Sequence, residues 1–226
     1  DGILNFRKVK SPMDFPTEDV LAFWFQDSRH DPKAATERHR FWFRGGSALD
    51  TIIQDRYTQV ISEAAELVQT LNDQHEAPSA PDLLATIIAL DQFPRHVFRG
   101  TPNAFSYASK AEAACSHLLS KPESSELTPI ETIFSLTPYH HAEDLTLQNL
   151  AISRIETLRN SASDAWQPVL TRFLRSFQDH ALIIERFGRF PHRNALLNRS
   201  TTEQERLYLK ERPQSFGQSF NRQREA

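Results

Sequence analysis

The sequence predicts an all-α protein that folds as one domain. Residues that commonly start helices recur along the chain, among them the pair Asp31-Pro32 and the capping box Thr128-Pro129-Ile130-Glu131. Between such starts, apolar side chains return every three or four positions, as they do from Ile52 to Leu71. No segment alternates apolar and polar side chains over the length of a strand. We therefore expect eight or nine helices and no sheet.

Each helix is predicted from its own start or stop signal. Residues that cap or open helices stand at the first six starts: Thr17, Asp31, Ser47, Pro81, Pro102 and Thr128. Gly188 is a helix stop, and a second capping box, Ser200 to Glu203, starts the last helix. The predicted helices are 17–27, 32–43, 47–73, 81–92, 102–120, 129–136, 141–160, 164–187 and 201–212. Around the single domain, 17–212, we expect an N-terminal extension, 1–16, and a polar C-terminal tail, 213–226.

Composition excludes several kinds of site. The 226 residues include six glycines, less than half the usual share of about 7%. The chain has no G-x-G-x-x-G, G-x-x-x-x-G-K-S/T or G-x-S-x-G sequence, which argues against dinucleotide cradles, NTP-binding loops and nucleophile elbows. The one cysteine, Cys115, excludes an intrachain disulfide and any multi-cysteine metal site. It is typical of core packing and of a reducing compartment, so we expect a cytoplasmic protein.

Charge and hydropathy narrow the possible partners. The net charge of −3 argues against a protein that binds nucleic acid over its whole surface, and we predict no DNA partner. No run approaches the roughly eighteen apolar residues of a membrane span, so we predict no membrane partner. The C-terminal part of the chain is basic, unlike the chain as a whole. It has nine Lys or Arg residues and five Glu residues between Glu185 and Ala226. This basic stretch could form a local basic face.

Polar residues interrupt the apolar faces of three predicted helices. The apolar face of 81–92 leads to Asp91, where a carboxylate is both desolvated and repelled by the dipole of the helix end. Because Pro94 disfavours a helical conformation of Phe93, we expect the helix to end there. Asp91 then requires a cation, and Arg95 or an arginine from elsewhere in the chain is the expected partner.

Two later helices carry the other candidates. Helix 141–160 has four polar residues where its apolar face begins: His140, Glu143, Asp144 and Gln148. Three of them are spaced by four, so they fall on one line if the helix starts early enough. Helix 164–187 has His180 on its apolar face and is followed by a segment rich in Arg and His. The candidates in that segment are Arg189, His192 and Arg193.

Two interpretations of these residues stay open. They could form a buried network of ion pairs that fixes helix register, with its carboxylates bound to arginines. Alternatively, several titratable groups beside an Arg- and His-rich loop could form a polar cavity for a ligand. The spacing of His140, His141 and Glu143 matches no metal motif, so we predict neither a metal ion nor another cofactor. The aromatic segments 23–25 and 41–43 are expected to pack in the core rather than to stack on bases.

Three segments resemble a known family. They are ALDQFPRHVFRGTPNAF (89–105), the stretch from Pro138 to Asp144 with Gln148, and IIERFGRFPHRNALLNRSTTEQE (183–205). Together they resemble the domain of unknown function nine-two-four, a family with a TPR-like all-helical fold, over most of 18–212. The sequence departs from the family pattern at His96, where Asn is usual, and at Asn198, where Gly is usual. These departures indicate a diverged branch.

The diverged sequence is similar to a fungal group associated with that family, the arginine-containing cyclodipeptide synthases of secondary metabolism. The resemblance implies that arginine from arginyl-tRNA and a second amino acid from another aminoacyl-tRNA are condensed into a diketopiperazine. A substrate guanidinium would be gripped by Asp91, Glu143 or Asp144, and a proton from the attacking amine would be accepted by His140 or His180. The expected catalytic residues are Asp91, His140, Glu143 and His180. The further expected substrate contacts are Asp144, Gln148, Arg95, Arg189, His192 and Arg193.

The basic stretch would then hold tRNA phosphates. The cations expected there are Arg186, Arg189, Arg193, Arg199, Arg206, Lys210 and Arg212. The same arginines could instead be internal partners of Asp91 and Glu143, in which case they touch no RNA. Two other functions stay as alternatives: a TPR-like interaction module without catalysis, and hydrolysis or metal-assisted chemistry on a small anion held by Arg189, His192 and Arg193.

Overall fold

A computed structural model describes residues 15–69, 71 and 78–211. These residues form helices and connecting segments without a strand, which confirms the predicted fold class. Their eleven α-helices are α1 (Thr17–Phe25), α2 (Pro32–Arg44), α3 (Gly46–Gln69), α4 (Ala80–Ile87), α5 (Phe93–Val97), α6 (Ala108–Leu119), α7 (Pro129–Ser135), α8 (Thr137–His141), α9 (Leu145–Ser161), α10 (Gln167–Phe187) and α11 (Glu203–Glu211). None of them is both long and apolar enough to cross a membrane. The predicted tail 213–226, and the extension 1–16 apart from Phe15 and Pro16, lie outside the described residues.

Most of the predicted helix signals act as expected. The Asp31 carboxylate accepts a hydrogen bond from the N–H of Lys33, and Thr128 forms its capping box with Glu131. Gly188 ends α10 in the left-handed conformation, with φ of 68°. The last capping box was placed two residues too early. It joins Thr202 to Glu205, through the N–H of each residue and the side chain of the other.

The core surrounds α4 and its continuation, where every residue from 83 to 94 is buried. Helices α1, α6 and α7 pack against α4, and α3 packs against α5. The Trp24 ring meets Phe93 and Phe134 edge to face, with centroids 5.8 and 5.7 Å apart. Cys115 is fully buried, which confirms its place in the core. The aromatic segments are also core residues as predicted, except that Phe43 is 49% exposed.

The helix predicted over 81–92 does not end at Asp91. A π-helical turn, Ile88–Gln92, follows α4, and Phe93 keeps a helical conformation with its N–H bonded to the carbonyl of Ile88. This wider turn interrupts the regular hydrogen-bond ladder just before Pro94, whose missing N–H then falls in the first turn of α5. The prediction that the proline ends the helix is therefore wrong. Single π turns inside helices are frequent at functional sites.

The helix predicted over 141–160 is divided in two. Ala142 and Asp144 have extended backbone conformations, so α8 ends at His141 and α9 begins at Leu145. His140 and Asp144 consequently belong to different elements and do not share a helix line with Gln148. The carboxylate of Asp144 accepts hydrogen bonds from two N–H groups of the first turn of α9, which makes it the N-cap.

His96, one of the departures from the family pattern, connects α5 to α3. Its Nδ1 lies 2.8 Å from a carboxylate oxygen of Asp50, and Arg99 donates to the same carboxylate over 2.7 Å. Burial by itself would raise the pKa of Asp50, but the hydrogen bonds from Arg99 and His96 lower it to about 2. His96 therefore joins Arg99 as a partner of Asp50 and connects α5 to α3.

Candidate functional site

Asp91 is the centre of a buried polar cluster. Its side chain is 2% exposed, and both carboxylate oxygens lie 2.9 Å from Nδ1 of His141. Arg95 donates from Nη2 over 3.1 Å, and Gln92 donates from Nε2 over 2.6 Å. The predicted pairing of Asp91 with Arg95 is confirmed. Although burial would raise the pKa of Asp91, His141 and Arg95 hold it below its usual value, so the group is a carboxylate.

The Asp91 carboxylate fixes the tautomer of His141. A carboxylate oxygen only accepts hydrogen bonds, so Nδ1 of His141 carries a proton and donates it. Burial and then the charge of Arg95 lower the pKa of His141 to about 4, against the opposing effect of Asp91. His141 is therefore neutral at pH 7, and its unprotonated Nε2 accepts protons. An imidazole oriented by a carboxylate is the usual general base of hydrolytic and acyl-transfer enzymes.

Two further imidazoles pack beside His141. The His140 ring is stacked on Phe177, and its centroid lies 3.9 Å from that of His180 and 4.9 Å from that of His141. Nδ1 of His180 donates to the carbonyl of Ser176 over 2.9 Å, so its Nε2 is also unprotonated in the neutral form. Nδ1 of His140 forms no hydrogen bond with a described residue, although His140 is only 6% exposed. Burial lowers the pKa of both rings well below the usual value.

Two buried guanidinium groups complete the cluster. Arg193 is 7% exposed and donates from Nη1 to the carbonyl of His141 over 3.0 Å. The guanidinium carbons of Arg193 and Arg95 lie 4.9 and 5.5 Å from the centre of the Phe105 ring. Burial, with the nearby charge of Arg95, lowers the pKa of Arg193 to about 9, which leaves it protonated at pH 7. Two positively charged guanidinium groups thus lie near the single negative charge of Asp91. This environment favours binding of an anion, or of an oxygen that gains negative charge during a reaction.

Two of the predicted contacts lie at the edge of this cluster. The ring of His192 packs 5.4 Å from that of Phe190, and burial with the charge of Arg193 lowers its pKa to about 3. Gln148 is buried and donates from Nε2 to the carbonyl of Ala142 over 2.8 Å. Gln148 therefore holds the turn between α8 and α9. We define the histidine cluster as Asp91, Arg95, His140, His141, His180 and Arg193.

The other predicted carboxylates have partners outside the histidine cluster. Glu143 receives two hydrogen bonds from Arg199, of 2.6 and 3.0 Å, and one from the N–H of Phe190. Burial by itself would raise the pKa of Glu143, but these hydrogen bonds lower it. Asp144 caps α9. The expectation that Glu143 and Asp144 grip a substrate guanidinium is thus not matched by their positions, because internal donors already occupy these carboxylates.

Most of the basic stretch is also bound internally. Arg189 donates to both oxygens of the Glu205 carboxylate, over 2.7 and 2.9 Å, and to the carbonyl of Ser200. Arg206 pairs with Glu203. Arg206 is nonetheless exposed, as are Lys210 and Arg186, whose guanidinium lies over the Phe187 and Tyr208 rings, while Arg212 lies outside the described residues. The Glu143–Arg199 and Arg189–Glu205 pairs are hereafter the C-terminal ion-pair network.

Two residues of functional interest, His141 and Glu112, were not predicted as site residues from the sequence. His141 was considered only as a metal ligand, because the sequence does not show that the chain leaves the helical conformation at Ala142. Glu112, on α6, is a half-buried carboxylate that forms no ion pair or hydrogen bond with a described residue. Burial, and then the negative charges of Asp144 and Asp91, raise the pKa of Glu112. Nothing in the surrounding sequence marks Glu112, because its position depends on how α6 packs.

Comparison with known proteins assigns the chain to a family. The sequence profile described as bacterial protein of unknown function, DUF924, matches residues 20–213. The chain belongs to this family. A solved structure of a protein of unknown function from Agrobacterium tumefaciens is 31% identical, with a TM-score of 0.68 over 86% of this chain and 97% of that chain. No curated protein matches the chain.

The segments that resemble DUF924 supply most of the histidine cluster. Asp91 and Arg95 come from 89–105, the two adjacent histidines from the stretch that begins at Pro138, and Arg193 from 183–205. In this DUF924 chain, three segments that are distant in sequence therefore meet at one buried site. Among the described residues, no three His, Cys, Asp or Glu side chains converge in a way that could hold a metal ion. The chemistry available is proton transfer by neutral imidazoles beside cationic groups.

Proposed function

We propose that the chain is an aminoacyl-transfer enzyme, a tRNA-dependent cyclodipeptide synthase that condenses arginine from arginyl-tRNA with a second aminoacyl group. The observation that carries the proposal is the buried Asp91–His141 pair, in which Nε2 of the imidazole is unprotonated while the guanidinium of Arg193 is hydrogen-bonded to the backbone carbonyl of the same residue. A base next to a preorganised positive charge suits attack of an amine on an ester. The ester is already activated, so the reaction needs no NTP-binding loop.

The base acts on the attacking amine. The amine nitrogen of the second aminoacyl-tRNA attacks the ester carbonyl carbon of arginyl-tRNA, and Nε2 of His141 takes the proton from nitrogen. The new N–C bond replaces the C–O bond to the ribose, and the proton passes to the departing ribose oxygen. The α-amine of arginine then attacks the remaining ester in the same way, which closes the ring. His140 and His180, whose rings pack beside His141, are the candidates to relay protons.

The arginines of the histidine cluster would stabilise the oxyanion that forms during each attack. Arg193 has a buried Nε that forms no hydrogen bond with a described residue, so a donor remains for a ligand oxygen. Its position is fixed by the hydrogen bond to the carbonyl of His141 and by the Phe105 and Phe190 rings. Removal of one such donor typically costs about 10²- to 10³-fold in rate.

Glu112 is the proposed partner of the substrate guanidinium. The sequence predicted Asp91, Glu143 or Asp144 for this role, and internal donors bind all three of these carboxylates. Glu112 interacts electrostatically with Asp91 and Asp144, which places it near the histidine cluster. A guanidinium would relieve the repulsion among these carboxylates and form a bidentate pair with Glu112. Selection of arginine would then depend on this one side chain.

Incubation of the purified chain with arginyl-tRNA and a full set of charged tRNAs, followed by mass spectrometry, tests the proposal. The expected products are cyclic dipeptides that contain arginine. We expect Glu112→Gln to raise the KM for arginyl-tRNA with a smaller change in kcat, while the exposed-site control Glu66→Gln leaves both constants unchanged. Absence of any cyclic product from the wild-type chain across the full set would overturn the proposal.

The excess of positive charge supports a second candidate, hydrolysis of a small anionic ester. Arg95 and Arg193 together outnumber the Asp91 carboxylate, and both approach the Phe105 ring. A phosphate or carboxylate group would balance this charge without any RNA. Hydrolysis of acyl or phosphoryl esters in a substrate panel, lost in Arg193→Gln and without cyclic dipeptide formation, would favour this function over the first.

A further inference from the structure

A groove of about 640 Å³ runs along the solvent side of α10. Its lining extends from Gln167 to His180 and includes Arg172, Arg175 and Asp179. Both arginines are exposed, and neither forms an ion pair or a hydrogen bond with a residue that the structure describes. Asp179 is the carboxylate in the lining, so this part of the groove carries an excess of positive charge.

The basic surface continues from α10 onto α2. Arg172 and Arg44 both lie within electrostatic reach of His39, and after burial their charges lower its pKa. The Phe43 ring lies 4.7 Å from His39 and 5.9 Å from Phe173, yet Phe43 is 49% exposed. An exposed aromatic ring beside unpaired cations is the combination with which proteins bind single-stranded nucleic acid.

In the C-terminal basic stretch, a smaller share of the cations is available to bind RNA phosphates. Three of its arginines are held by carboxylates of the chain: Arg189, Arg199 and Arg206. Arg189 and Arg199 each donate two hydrogen bonds to one carboxylate, and they would have to give these up to bind a phosphate. Arg186 and Lys210 stay available, but neither of them lines the groove.

The inner end of the groove reaches the histidine cluster. His180 belongs to the lining, and its ring centroid lies 3.9 Å from that of His140. The His140 ring in turn lies 4.9 Å from that of His141. A ligand that lies in the groove with its end at His180 thus meets the first of three packed imidazoles, and His180 and His140 would relay its proton to Nε2 of His141.

We propose that this groove binds the single-stranded 3′ end of the RNA that carries the aminoacyl group. Arg172 and Arg175 bind its phosphates, Phe43 stacks on a base, and the terminal ester is directed toward His180. The inference rests on the proposed function, because it assigns the partner of the same site. It replaces the C-terminal basic stretch as the main RNA contact.

Fluorescence anisotropy on the full chain tests the groove, with deacylated arginine tRNA as the probe and the same tRNA without its single-stranded 3′ nucleotides as a second probe. Arg172→Gln/Arg175→Gln is expected to weaken binding of the intact tRNA at least tenfold and to flatten the salt dependence by about 1.4, the value for two single-strand phosphate contacts. The matched control is Arg186→Gln/Lys210→Gln, which should change affinity less than twofold. All four side chains are exposed, and melting curves establish that each variant folds.

The proposed aromatic contact is tested by a second variant and its matched control. Phe43→Ala is expected to weaken binding about fivefold or more, the usual effect of losing one stacked base. Leu207→Ala, at a side chain that is 52% exposed, should leave the affinity unchanged. Removal of the 3′ nucleotides should abolish the difference between wild type and the groove variants, because the contact is then absent from both.

The outcomes separate this inference from the proposed function. If wild type forms cyclic dipeptides but the groove variants bind tRNA as wild type does, the groove is not the RNA site and the proposed function stands. If the control pair weakens binding and the groove pair does not, the C-terminal stretch is the RNA surface and the inference is wrong. If wild type neither binds tRNA nor forms product, the proposed function fails first. Displacement of the bound tRNA probe by an acidic peptide, but not by unlabelled RNA, would also overturn the inference.

Discussion

The histidine cluster and the C-terminal ion-pair network differ in how completely their polar atoms are paired. In the network, both oxygens of Glu143 and both of Glu205 accept hydrogen bonds, and every nitrogen of the Arg199 guanidinium donates one. In the cluster, Nδ1 of His140 and Nε of Arg193 are buried without a partner among the described residues. A buried polar atom without a partner costs about 1–3 kcal/mol.

The difference in pairing indicates that the C-terminal ion-pair network serves mainly stability and the histidine cluster mainly function. A fully paired network needs no ligand, and it attaches α11 and the loop after Gly188 to the rest of the fold. A cluster that keeps unpaired donors and neutral imidazoles under the surface lowers stability, and binding of a ligand would compensate for that loss. We therefore expect substitutions in the network to change mainly the free energy of unfolding. Substitutions in the cluster should change mainly activity.

The largest expected effect is on catalysis by His141→Gln. Loss of the proposed base should lower kcat for cyclic dipeptide formation by about 10²- to 10⁴-fold, measured by product release under saturating aminoacyl-tRNA. The matched control His30→Gln, at an exposed histidine, should retain wild-type activity. A folded His141→Gln protein with near wild-type kcat would show that His141 is not the base. The assignment of activity to the histidine cluster would then be wrong.

The next effect is the dependence of stability on pH. The pKa values of His140, His141, His180 and His192 are all lowered in the folded protein, so the unfolded chain binds more protons below its own value of about 6.5. The free energy of unfolding should therefore fall as pH drops from about 6.5 toward 4, with about three to four protons taken up on unfolding at pH 5.5. Urea unfolding at pH 7 and pH 5 measures this.

A single substitution tests whether the histidine cluster causes this dependence of stability on pH. His180→Gln should reduce the proton uptake on unfolding by about one. Equal urea midpoints for the wild-type chain at the two pH values would show that the imidazoles are not held neutral in the folded state.

A smaller effect is expected from Glu205→Ala in the C-terminal ion-pair network. The substitution removes the half of the capping box in which the Thr202 N–H donates to the Glu205 carboxylate, and it removes the acceptor for Arg189 and Asn194. We expect a loss of about 2 kcal/mol, roughly half from the cap and half from the other hydrogen bonds. Activity per folded molecule should not change. A large loss of kcat with unchanged stability would mean that the network belongs to the active site.

The smallest effect is expected at the junction of the two regions. Gly188 has φ of 68° and open space where a side chain would project, so Gly188→Ala introduces backbone strain without a clash. A cost of about 1–2 kcal/mol is expected for this conformation, measured by urea unfolding. No loss of stability would show that the end of α10 relaxes, and that the left-handed cap does not hold the two regions together.

Much of the fold followed from local signals. The capping residues Asp31 and Thr128 and the helix stop Gly188 act through neighbours one to four residues away, which a sequence contains directly. The π turn at Ile88–Gln92 gives no such signal, because it differs from an α-helix by one residue in one turn. For that reason the prediction that Pro94 ends its helix is wrong.

The candidate site was predictable only in part. Asp91, His140, His180 and Arg193 were identified because each is polar on an apolar face or in a motif, and the structure brings these four together. The role of Glu143 required knowledge of its tertiary partners, Arg199 and the N–H of Phe190. Asp144 before a new helix was a typical N-cap, and that local signal outweighed the spacing of four from His140.

The central claim is that Asp91 holds His141 neutral, with a proton on Nδ1 and none on Nε2. The most direct measurement is ¹H–¹⁵N NMR of the imidazole nitrogens in the full chain, with His141→Gln used to assign the signals. We predict that at pH 7 the Nδ1 of His141 is protonated and its Nε2 is not, and that this state persists to about pH 5. A proton on Nε2, or a titration of His141 near pH 6.5, would contradict the claim.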